Sequence, residues 1–81
     1  GREQIFQIHT RSMNVADDVD YENLAAMAEH ASGADIKAIC TEAGMFAIRE
    51  DRTEVRMADF REAYEKIQNE EEDEDVSRTF A

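Results

Sequence analysis

The chain has 81 residues, twenty acidic against nine basic for a formal charge of −11, with one cysteine and no proline. That length allows one small domain without a large enclosed active site, and the acidity repels phosphate backbones and anionic bilayers, arguing against nucleic acid or a membrane as partner. A single cysteine, Cys40, excludes an internal disulfide, and with no 18-residue apolar run or signal-peptide pattern the chain reads as soluble and cytoplasmic.

Ile5, Phe6, Ile8, His9 and Met13 fall near one face of a first helix expected over residues 2–12. Residues 14–19 break the period and read as a connector. Asp20 is a good N-cap for a second amphipathic helix carrying Tyr21, Leu24, Ala25, Ala28 and Ala31. Ser32 and Asp35 have the spacing of a capping box. A third helix follows to about Glu50, with Ile36, Ile39, Cys40, Ala43, Phe46 and Ala47 as the clearest apolar stripe in the chain.

Thr53–Arg56 reads as a short extended link before a fourth helix over 57–69, built on Phe60, Ala63, Tyr64 and Ile67. Arg56 or Met57 stands where Ser or Thr would cap best, so this helix is expected to fray at its start. The acidic run 69–75 cannot bury anything and repels itself, which predicts a disordered spacer. The pattern as a whole is all-α: four helices over 1–68 and an acidic disordered tail over 69–81. Acidic residues spread along the whole chain suit a protein made for high salt, where screening removes self-repulsion.

Chemistry-bearing motifs are few. The glycines at 1, 33 and 44 cannot form a G-x-x-x-x-G-K-[ST] phosphate cradle, so these residues are not expected to be an enzyme by themselves. Cys40 lies on a core stripe with no histidine near it in sequence. Asp17, Asp18, Asp20 and Glu22 lack the spacing of a calcium loop, and two histidines with one cysteine do not make a zinc set; no metal site is expected. His9, beside Ile5 and Ile8, is either a boundary residue satisfied locally or a ligand. Gly33-Ala34 is either a simple helix-to-helix handover or an opening where a planar group approaches the first amides of the third helix.

The blocks G-R-E-Q-I-F-Q-I-H-T-R-S-M, D-D-V-D-Y-E-N-L-A, S-G-A-D-I-K-A-I-C-T-E-A-G-M-F-A-I-R-E and M-A-D-F-R-E-A-Y-E-K-I, in this order, resemble the helical lid of AAA ATPases. The T-E-A-G-M-F-A-I-R-E block is most similar to the branch containing the archaeal proteasome-activating nucleotidases and the eukaryotic regulatory-particle ATPases. The resemblance covers residues 1 to about 68.

This resemblance implies a four-helix lid that packs over ATP or ADP held by a larger α/β subdomain of the same chain, with Mg bound outside these residues. Gly33 and Ala34 would lie beside the base or ribose, and Ile5 and His9 would complete that wall. No arginine stands near Ala34 to touch a γ-phosphate, unlike AAA+ relatives outside this branch. It further implies a rigid lid that meets the neighbouring subunit of a hexameric ring and helps thread proteins into the 20S proteasome. The family commonly ends in a hydrophobic residue, a tyrosine and any residue, which docks between proteasome α subunits. Thr79-Phe80-Ala81 keeps the ring but neither the hydroxyl nor the apolar neighbour, so docking here is expected to be weak or to depend on avidity. Rival readings are a free-standing acidic helical adaptor that binds through its tail, and the lid of a general unfoldase.

Overall fold

Side chains rather than propensity set where all but the first of the described helices begin. A computed structural model describes the backbone of residues 1–80 and the side chains of residues 1–70. It contains four helices: α1 (Arg2–His9), α2 (Tyr21–Met27), α3 (Gly33–Arg49) and α4 (Met57–Phe80). Asp20 caps α2 by accepting from the Asn23 amide at 3.2 Å. Ser32 and Asp35 form the full capping box at α3, each side chain accepting the other's backbone N–H at 3.1 Å.

The third helix stops where expected, and its last turn closes in a Schellman pattern. Arg52 N donates to Ala47 O and Asp51 N to Ile48 O, with Asp51 in the left-handed region at φ 55°. Glycine usually fills that position; a short polar side chain is the tolerated substitute.

The core confirms most of the apolar pattern. Phe6, Leu24, Ile36, Ile39, Cys40, Ala43, Ala47, Phe60 and Ala63 are buried in one cluster, with Ile5, Met13, Tyr21, Phe46 and Ile67 half-buried around it. Helix α3 lies at the centre, packed on both α1 and α4. Ile8, expected on the inner face of α1, is 53% exposed. Its place inside is taken by Thr10, buried with its hydroxyl donating to Phe6 O at 2.8 Å and hydrogen-bonded to the Tyr21 hydroxyl at 3.1 Å. This inward turn of Thr10 also ends α1 at His9 rather than at 12. The second helix likewise ends at Met27, before Ala28 and Ala31.

The start of α4 corrects the expectation of fraying. Arg56 N donates to Asp59 Oδ2 at 2.8 Å, and Met57 N donates to Asp18 Oδ1 at 3.2 Å. Asp59, nearly fully buried, is gripped by Arg52 through two nitrogens at 2.6 and 2.7 Å. Two carboxylates therefore satisfy amides that a local Ser or Thr would otherwise serve. The same link is tied to the 14–19 connector by a parallel bridge between Val15 and Val55. At its other end α4 runs on to Phe80, past the expected end at 69 and through sequence read as a disordered tail; no glycine or proline interrupts it.

Candidate functional site

The C-terminal end of α1 faces the middle of α3 across an open cleft of about 330 Å³. His9, the last residue of α1, and Met13 form one wall, while Lys37, Cys40, Thr41 and Gly44, stepping along one face of α3, form the other. Gly44 is what permits the approach: a Cβ there would stand 3.2 Å from Met13 Cε. Beyond Gly44 the cleft opens between Met45 and Ile48, which are 42% and 73% exposed. Met45 and Ile48 thus leave apolar surface in water at the open end of the cleft.

Two of the cleft's side chains are held in unreactive states. Burial pushes the Cys40 thiol up to about 11, which keeps it protonated and a poor nucleophile at neutral pH. The Thr41 hydroxyl donates to Lys37 O at 3.0 Å, one turn back along its own helix. What remains for a ligand is the His9 imidazole, the Ser12 hydroxyl, the Lys37 ammonium and apolar surface.

His9 alone among the four expected wall residues lines the cleft. Ile5 stands one turn earlier on the same face of α1 and packs half-buried against the core. Gly33 and Ala34 are exposed in the first turn of α3, outside the cleft lining, although Lys37 on its rim is one turn from Gly33. Ser32 and Asp35 satisfy each other, and among the described residues the amides of Gly33 and Ala34 have no hydrogen-bond acceptor. Among the described residues nothing requires a glycine at 33: its φ is not left-handed, and a Cβ there would meet no atom within 4 Å. The first turn of α3 is thus bare on its outer side for reasons that the fold does not supply.

Sequence reasoning missed the cleft itself and the parts of Lys37, Met45 and Ile48 in it. The legible signal was Gly44, a helix breaker at the centre of the longest apolar stripe. Of the acidic residues Asp17, Asp18, Asp20 and Glu22, Asp20 caps α2 and Asp18 holds the Met57 amide. Of the expected docking residues, Ala81 lies outside the described residues, as do the side chains of Thr79 and Phe80. Among the described residues no helix is long and apolar enough to cross a membrane.

Comparison with known proteins places these features in a family. A family model described as the AAA+ lid domain matches residues 18–62. Proteasome-activating nucleotidase 1 of Haloferax volcanii is 72% identical, covering 100% of this chain and 20% of that protein. The protein of the same name from Halobacterium salinarum is 67% identical, covering 100% of this chain and 21% of that protein. Proteasome-activating nucleotidase of Archaeoglobus fulgidus is 67% identical over 83% of this chain. The chain spans about a fifth of the length of the curated relatives it matches.

Proposed function

The chain belongs to the AAA+ lid domain family, and we propose that it acts as the lid of a ring-forming ATPase that unfolds proteins and passes them into the 20S proteasome. Support for the parent activity is similarity along the whole chain to relatives named proteasome-activating nucleotidases, two of them from salt-loving archaea, which agrees with the charge of −11.

Within the chain, the observation that carries the nucleotide reading is the open space in front of Gly33. A first turn that opens with a glycine and an alanine, with two unpaired amides, suits the close approach of a flat, polar group such as adenosine. In this reading Gly33 and Ala34 lie against the base or ribose, Ile5 gives an apolar contact and the half-buried His9 a hydrogen bond. Bound ATP supplies the phosphoryl group whose transfer drives the cycle; Mg and the groups that act on the phosphates belong to the rest of the parent chain. The residues described here orient the adenosine and exclude water from it. Reorientation of the lid over the nucleotide then moves the adjacent subunit of the ring. The protein works in the cytoplasm, and Thr79-Phe80-Ala81 docks on the proteasome α ring, helped by avidity around the hexamer.

The test is nucleotide affinity in the full-length protein, read with a fluorescent ATP analogue. Gly33→Leu and His9→Ala are expected to weaken binding about tenfold or more, while the lid melts as in the parent, since neither residue is buried in the core. Unchanged affinity in both variants would remove adenosine from this surface.

A further inference from the structure

Helix α4 packs chiefly on α3. A helix held through one packed face can shear on its neighbour by small amounts. The start of α4, however, has a second anchor, on a part of the chain that α3 does not provide.

That anchor is a seam between the two connectors, 14–18 and 53–57. Val55 N donates to Asn14 O at 2.8 Å and Ala16 N to Val55 O at 2.9 Å. Asn14 Nδ2 donates to Thr53 O at 2.8 Å, and Met57 N donates to Asp18 Oδ1 at 3.2 Å. Two of the four bonds come from side chains that are themselves exposed, Asn14 and Asp18. Asp18 has no task in the helix that follows it, because Asp20 caps α2. Its carboxylate is committed instead to the first amide of α4, 39 residues away.

We propose that this seam is a coupling device: it locks the direction of α4 to the α1–α2 connector, so that a rotation of the lid at His9 is carried undiminished into α4 and the acidic segment beyond it. The inference rests on the nucleotide reading above. Packing of α4 on α3 holds the fold together, whereas the Asn14 and Asp18 bonds remove a degree of freedom while burying little apolar surface. They are positioning contacts, separable from folding by mutation.

The experiment uses the full-length ATPase with the 20S proteasome and casein as substrate. Asn14→Ala and Asp18→Ala are made singly, with Asp18→Asn as the conservative control, because its side-chain oxygen still accepts from Met57. In the alanine variants ATP affinity and hydrolysis are expected within twofold of the parent, amide exchange at Val55 or Met57 at least tenfold faster, and casein degraded per ATP at least fivefold lower. Asp18→Asn should behave as the parent in all three. Normal degradation per ATP despite faster exchange would overturn the coupling role, and unchanged exchange would show that these side chains do not hold the seam. Loss of nucleotide binding by the unmutated protein would instead strike at the proposed function, so the two failures are distinct.

Discussion

Arg52 grips Asp59 with both terminal guanidinium nitrogens, at 2.6 and 2.7 Å, while the same carboxylate accepts the Arg56 amide at 2.8 Å. One buried carboxylate thus fastens the end of α3 to the start of α4.

The Arg52 hydrogen bonds, helped by the Arg56 amide and outweighing burial, hold the Asp59 carboxyl below the usual carboxylate range. A depressed folded-state pKa contributes stability above the unfolded value, near 4, and that contribution is lost as pH falls through the folded value. Asp59→Asn should therefore cost about 1–2 kcal/mol at pH 7. The gap to the parent should narrow as pH drops below about 4. Melting both proteins from pH 7 to pH 2 checks this: a gap that stays constant would mean that the carboxylate charge is not what Arg52 recognises.

Phe60 and Phe46 separate core from rim. Phe60 is completely buried, and Phe60→Ala should cost about 3–5 kcal/mol, enough to unfold a domain of this size. Phe46 is half-buried, with Arg49 at 5.6 Å and Lys66 at 5.9 Å over its ring. Phe46→Ala should cost about 1–2 kcal/mol, part of it cation–π attraction. Urea midpoints for the two variants should differ accordingly; equal losses would put Phe46 in the core.

Asp51 carries the left-handed turn that ends α3. Asp51→Gly should raise stability by about 0.5–1 kcal/mol, because glycine adopts this backbone without a Cβ penalty. Thermal melting decides, and a lower Tm would mean that the Asp51 side chain makes a contribution larger than its backbone strain.

Local signals in the sequence were the readable ones. The capping box at Ser32 and Asp35 depends on residues three apart, and the stripe Ile36, Ile39, Cys40, Ala43, Ala47 on a period of 3.6, so α3 could be placed to within a residue at both ends. The start of α4 could not, because its amides are met by Asp18 from another connector and by an Asp59 whose orientation depends on Arg52. The early end of α1 was hidden for a similar reason: Thr10 turns inward to reach Tyr21 across a connector. As for the site, Ile5, His9, Gly33 and Ala34 came from family resemblance, and residue type alone left both His9 and Gly33 ambiguous. Lys37, Met45 and Ile48 became visible only once two helices shared a cleft, which no one-dimensional pattern encodes.

The Val15–Val55 bridge also says something about how this chain comes apart. The two backbone bonds of the bridge and the two side-chain bonds, each worth about 1 kcal/mol net, at best match the entropy of closing so long a loop from an unfolded chain and leave nothing to order the connectors themselves. The seam can form only after Leu24, Ile36, Ile39 and Phe60 have brought its two sides together. It should therefore open by itself, ahead of global unfolding, as a low-energy excursion of an otherwise intact helical core. Such an opening frees two short, unpaired stretches of backbone at the surface, and the acidic side chains within them, Asp17, Asp18 and Glu54, discourage any extended chain from pairing there.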